Sequence, residues 1–195
     1  MKHKNTEQYL FENIILFGIY KTYYQMANSN IIKELKKVGI FKNISSQYSL
    51  EKLANISKIK YFPPDVKILN ENDESDSLYI LLNGTVKIIK KNITGEEFEI
   101  EKFESNETEN YSFNESALVD NGTNLVSLYS IAYCEFLIIN KYDFNSLAEK
   151  NYDIGYNAAK EIIKVLTGQI KKIEHNIKIL TNALISDIRE TDNFF

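Results

Sequence analysis

The sequence predicts a mainly β fold, a barrel or sandwich of short strands, flanked by helices on both sides. Three observations predict it. From Val66 to Ile139, short apolar runs are separated by turn residues such as Asn83-Gly84. On either side of that region, apolar residues recur at helical spacing. In the C-terminal stretch that spacing becomes a sustained heptad seam.

Taken in order, residues 1–37 carry Leu10, Ile14 and Phe17, then Ile31, Ile32 and Leu35. One or two helices are expected, split near Ala27-Asn28-Ser29-Asn30, with Tyr20, Tyr23 and Tyr24 packed on the core or, alternatively, forming a partner surface. A short helix is expected after Ser45 as N-cap, with Leu50, Leu53 and Ala54 on one face. Tyr61-Phe62-Pro63-Pro64 should end it and open an extended region. Strands are expected at Val66–Ile68 and Leu78–Leu82. Val86–Ile89 should pair with Phe98–Phe103 across a turn holding Gly95, and Leu125–Tyr129 and Phe136–Ile139 follow. The polar stretch from Glu104 to Ser112 is expected to be a disordered loop, with an altered pocket rim as the alternative.

From Asp143 to about Ile188 the helical period returns. Ala159, Ile163, Leu166, Ile170, Ile173, Ile177, Leu180 and Leu184 alternate spacings of four and three. A helix exposing such a seam is costly in water. The first turns are therefore expected on the β domain. The rest, from Leu166 to Leu184, should meet a twin helix in a parallel homodimer, the alternative being a helix that lies entirely on its own domain.

Composition narrows the function. Of 195 residues, 44% are hydrophobic and 12% aromatic, enough for a packed core. The net charge of −4 argues against nucleic-acid binding, which needs a basic face. Cys134 is the single cysteine, so no intramolecular disulfide can form, and its apolar setting reads as core. The apolar stretch Tyr9–Tyr20 is too short to cross a bilayer and no small-residue cleavage site follows it, so a cytoplasmic protein is expected. The histidines are His3 and His175 alone. That disfavours a metal-dependent cupin, the main enzymatic competitor. No Cys-His pair, G-x-S-x-G elbow or Walker loop is present, so neither an enzyme nor a cofactor is expected.

The string from Asn72 to Val86 resembles the cyclic nucleotide-binding domain family. Asp73, Asp76, Tyr79, Gly84 and Val86 fall in register with its G-D-x-x-D-x-x-Y-x-x-x-x-G-x-V motif. Asn72 replaces the first glycine, the next-best residue for a left-handed turn. Val38 to Ser45 looks like the family's opening turn, Tyr61 to Asp65 like its first strand, and Tyr133 to Ile139 like its last. The resemblance implies a β-roll over residues 38–150, after an N-terminal helical segment (1–37) and before a dimerisation helix (151–188) and a tail (189–195).

The resemblance also implies a phosphate-binding cassette at Phe113, Asn114, Glu115, Ser116, Ala117, Asn124 and Leu125. Glu115 would accept from a ribose 2′-hydroxyl. Asn114 stands where the family has a glycine, and Asn124 where it has the arginine that pairs with the cyclic phosphate. The one arginine of the chain is Arg189, and no lysine or arginine occurs from Phe103 to Asn140. A regulatory or scaffolding protein with a degenerate pocket is expected, acting through a protein partner or an atypical ligand. The alternative is a nucleotide sensor for a cyclic mono- or dinucleotide, using backbone amides or a lysine such as Lys87 or Lys102. The few residues after Leu184 are too short for a helix-turn-helix, so a transcription factor is not expected.

Overall fold

A computed structural model describes residues 26–192, the side chains of 187–192 excepted. Residues 26–35 form helix α1. A 3-10 turn, Gly39–Phe41, leads to α2 (Gln47–Ile56). Strands follow as β1 (Ser57–Phe62), β2 (Lys67–Leu69), β3 (Ser77–Asn83), β4 (Thr85–Lys91), β5 (Glu97–Glu104), β6 (Ser112–Phe113), β7 (Ser127–Ser130) and β8 (Cys134–Asn140). Helices α3 (Lys141–Ala148) and α4 (Tyr152–Asp192) close the described chain.

The strands form two four-stranded sheets, ordered β1-β8-β3-β6 and β2-β7-β4-β5, with antiparallel ladders throughout. This is the β-roll with flanking helices that the sequence predicts.

Strand β8 pairs with β1 and β3 in the middle of the first sheet, and the two long strands are apolar on both faces. Side chains alternate across a strand. Leu78, Ile80, Leu137 and Ile139 therefore face the helices, where Leu35, Phe41, Leu50 and Phe144 complete one core. Leu81, Cys134 and Phe136 face the other way, into the roll, with Phe62, Val86, Phe113 and Leu128. The roll interior is filled by rings in edge contact: Phe62 to Phe136 at 5.7 Å, and Phe103 to Phe113 at 5.2 Å. The cysteine is a buried core residue, as its sequence context indicates.

Several boundaries differ from expectation. Ser46, not Ser45, caps α2, accepting from the Ser49 amide. The helix stops at Ile56 rather than at the prolines, which instead end β1. Pairing with β8 extends Ser57–Phe62, and no local signal marks it. Helix α1 runs unbroken through the split expected at Ala27–Asn30. The readings on Leu10, Ile14, Phe17 and the three early tyrosines fall outside the described residues.

The C-terminal helix seats on the domain through a face one position off the expected seam. Ile154, Ala158 and Ile162 are buried in the helix-side core and Leu166 packs against it, while Ile163 is exposed. Two polar ties hold this seat. Ser49 Oγ donates to Asp153 Oδ2 at 2.5 Å. Glu161, 3% exposed, accepts from Asn43 Nδ2 at 2.7 Å and pairs with Lys164 at 2.5 Å and Lys42 at 3.4 Å. Beyond Leu166, every described residue up to 186 is exposed, including Ile170, Ile173, Ile177, Leu180 and Leu184.

Candidate functional site

The segment carrying the expected cassette begins in β6, a two-residue strand on the edge of β3. Phe113 packs into the roll. Asn114 then turns the chain at φ 66°, ψ 38°, the left-handed region where glycine is the usual occupant. Its carboxamide compensates for the conformation. Nδ2 donates to the Ser77 carbonyl at 2.9 Å, and Oδ1 accepts from Ser75 Oγ at 3.1 Å. Asn72 adopts the same region at φ 72°. Both asparagines stand where the resembled motif has glycine, and both meet its backbone demand.

After Asn114 comes a 3-10 turn, Glu115–Leu118, with Ala117 and Leu118 buried. Glu115 accepts from Ser112 Oγ at 2.7 Å. Burial raises its pKa above the ordinary carboxylate value, and the Ser112 bond partly opposes that shift. Ser116 contributes its carbonyl to the amides of Val119 and Asp120, closing the turn.

The return loop is sewn to the β2–β3 turn. The Asn124 amide donates to the Asp73 carbonyl at 2.8 Å, and the Asn72 amide donates back to the Asn124 carbonyl at 2.9 Å. Asn124 is 5% exposed and its Nδ2 donates to the Asn70 carbonyl at 3.0 Å. Among the described residues, its buried Oδ1 has no hydrogen-bond partner. Leu125, next to it, is exposed.

Lys87 and Lys102 lie opposite each other in the β4–β5 ladder, on the face away from Val86, Ile88 and Phe103. Among the described residues neither donates a hydrogen bond to the return loop. Lys90 does: its Nζ donates to the Leu125 carbonyl at 3.4 Å. Lys141 Nζ donates to the Asp120 carbonyl. Sequence reasoning missed both. Alternation puts Lys90 on the same face as Ile88, a visible signal, but the fold-back of residues 119–126 over it has none.

The stretch between β5 and β6 is also ordered by specific bonds, against the expectation of a disordered loop. Asn106 Oδ1 accepts from the Thr108 and Glu109 amides. Asn110 is buried and its Nδ2 donates to both the carbonyl and a carboxylate oxygen of Glu34 in α1.

Comparison with known proteins agrees with the fold. Residues 59–151 match the family model described as cyclic nucleotide-binding domain. The chain has the fold of a cyclic nucleotide-binding domain. It superposes on the catabolite activator protein of Thermus thermophilus with a TM-score of 0.62 at 16% identity, over 73% of this chain and 63% of that one. It superposes on the regulatory subunit of a cAMP-independent protein kinase A from Trypanosoma brucei, a triple mutant bound to cAMP, with a TM-score of 0.58 at 19% identity. That match covers 74% of this chain and 47% of the other. In sequence, 151 residues are 23% identical to the potassium channel AKT1 of Arabidopsis thaliana, 77% of this chain but 16% of the channel.

The chain spans less than two thirds of the length of each of these proteins. Among the described residues, no group of three or more histidine, cysteine, aspartate or glutamate side chains is placed to hold a metal ion. No helix there is long and apolar enough to cross a membrane.

Proposed function

We propose that this chain is a non-catalytic regulatory module whose pocket does not hold cAMP or cGMP in the usual way. Asn124 carries the argument. At the position assigned by resemblance to the phosphate-binding arginine, the side chain is buried, gives its NH2 to Asn70, and leaves an unpaired carbonyl oxygen. An unpaired acceptor repels a phosphate oxygen. The charge-assisted bond an arginine would supply there is worth roughly 1.5–3 kcal/mol, or ten- to a hundredfold in affinity. Glu115 is likewise engaged by its own chain, through Ser112. The Trypanosoma subunit offers a parallel: it is described as cAMP-independent, and the cAMP-bound form is a mutant in which one of three changes puts arginine for threonine.

The output runs through α4. Its exposed seam forms a parallel homodimer, and movement of α4 against the roll, driven by a partner or an atypical ligand, re-registers that dimer in the cytoplasm. Titration calorimetry of the wild-type chain with cAMP and cGMP is the test. No heat is expected at micromolar ligand, and micromolar binding of either would overturn the reading.

One observation favours a second reading, a nucleotide sensor with a lysine in the arginine's role. Lys90 reaches the backbone beside Asn124, whereas Lys87 and Lys102 do not. In that case calorimetry shows binding in the wild type that Lys90→Ala weakens at least tenfold, with Lys87→Ala unchanged.

A further inference from the structure

The chain carries the tripeptide Asn-Gly-Thr twice, at Asn83-Gly84-Thr85 and at Asn121-Gly122-Thr123. Asparagine followed by glycine is chemically labile. With no Cβ on the glycine, its backbone nitrogen is unhindered in attacking the side-chain carbonyl carbon of the residue before it. The two steps share this chemistry, and both asparagines are exposed. What separates them is the restraint on the glycine nitrogen. Asn83 ends β3 and pairs with Glu135, and Gly84 packs against Tyr133 and Cys134. The Gly84 amide donates to Ser105 Oγ at 3.0 Å, and the Gly84 carbonyl accepts from the Ser105 amide at 3.0 Å. That nitrogen is committed and cannot turn onto its neighbour. Asn121 lies in the return loop, outside any strand. Its own amide donates to Asp120 Oδ1 at 2.7 Å. Among the described residues, neither its carboxamide nor the Gly122 amide has a hydrogen-bond partner.

We propose that Asn121-Gly122 is a site of spontaneous covalent modification, at which the return loop converts to isoaspartate and loses its stitching to the β2–β3 turn. The Gly122 nitrogen gives its proton to solvent and bonds to Cγ of Asn121. The bond from Cγ to the amide nitrogen breaks, ammonia leaves, and a cyclic imide closes. Water then opens the ring. Attack at the former side-chain carbonyl gives aspartate. Attack at the backbone carbonyl gives isoaspartate, whose main chain runs through the side chain and is one carbon longer. Water is the only co-reactant, and either product adds a negative charge beside Asp120. The lengthened chain falls where register matters. The Gly122 carbonyl accepts from the Ser75 amide at 3.2 Å, Thr123 bridges to Glu74, and the Asn124 amide donates to the Asp73 carbonyl at 2.8 Å. An extra main-chain atom just before Gly122 shifts these groups off their partners, and so releases the loop that positions Asn124.

Peptide mapping by mass spectrometry tests this on the full chain, aged at neutral pH once folded and once in urea. In the folded protein Asn121 should gain about one dalton at least tenfold faster than Asn83. In urea the two rates should converge, because the restraint on Gly84 is gone. Gly122→Ala should slow the folded-state conversion at least tenfold. The nearest atom to that new Cβ is Asp120 Oδ2, the end of an exposed side chain that can turn away, so the variant folds. Hydrogen exchange then compares the isolated isoaspartate form with Asn121→Asp, which carries the same charge on an ordinary backbone. The Ser75 and Asn124 amides should lose protection in the first and keep it in the second. Conversion at Asn83 as fast as at Asn121 in the folded chain would overturn the proposal. So would an Asn121 that stays intact while the unfolded chain converts, or equal protection of Ser75 in the two forms.

Discussion

Two residues at opposite ends of β3 show how the backbone dictates identity. Gly84, between β3 and β4, sits at φ 112°, and a Cβ there would lie 2.6 Å from the Tyr133 carbonyl oxygen and 2.7 Å from the Cys134 sulfur. Neither neighbour can move cheaply, since one is backbone and the other is fully buried. Gly84→Ala is expected to destabilise the fold by about 1–3 kcal/mol from conformation alone, with the clash adding to it, measured by urea denaturation. Asn114 is the converse case. It pays for its left-handed conformation with two side-chain bonds, to Ser77 and Ser75. Asn114→Gly keeps the turn and loses the bonds, whereas Asn114→Ala loses both. The alanine variant should therefore be the less stable of the two, by about 1 kcal/mol, in the same denaturation series.

Helix α4 is two structures in one. Its first turns are held by Ile154, Ala158, Ile162 and the polar ties at Asp153 and Glu161, while from residue 167 it has no cover among the described residues. Isolated helical turns are marginal in water, and the proposed homodimer would cover this apolar stripe. Ile177→Glu with Leu180→Glu should convert a dimer to a monomer by sedimentation at micromolar concentration, with the roll still folded. A wild-type monomer at that concentration would remove the homodimer from the proposed mechanism. The heptad period was legible because it depends only on spacing. The phase of the seat on the roll was not, because Ile163 and Ile162 are equally apolar and only the position of the Gly39–Phe41 turn selects between them. The same holds for the strands. Long apolar runs such as β3 and β8 announce themselves, whereas the two-residue β6 exists only by pairing with β3. At the cassette, the residue types could be read in order, but not the commitment of Asn124 to Asn70 or the approach of Lys90, which both arise from chain fold-back.

Across the molecule, two carboxylates couple the helical layer and the roll to pH with opposite signs. Glu161 joins α4 to the turn after α1, and the hydrogen bond from Lys164, reinforced by Lys42, holds its pKa below the ordinary carboxylate value despite burial. A lowered folded-state pKa means stability that is present above the unfolded value and lost as pH falls through the folded one. Glu115, in the cassette turn, has its pKa raised, chiefly by burial. Its ionised form is disfavoured in the fold, so its contribution is greatest below the unfolded pKa and is lost as pH rises through the folded value. Denaturation of the wild type from neutral pH into the acid range therefore sums two opposing slopes. Glu161→Gln should lower stability near neutrality and flatten the acid-side loss, because the neutral amide forfeits the ion pairs at every pH. Glu115→Gln should leave the acid end nearly unchanged and raise stability near neutrality, where the buried charge is removed. If both variants shift the profile in the same direction near neutrality, the assignment of opposite signs to the two sites fails. Fluorescence from the tyrosines, followed across a pH series at fixed urea, reads the difference directly, since the half-buried Tyr79 and Tyr111 pack against the roll core.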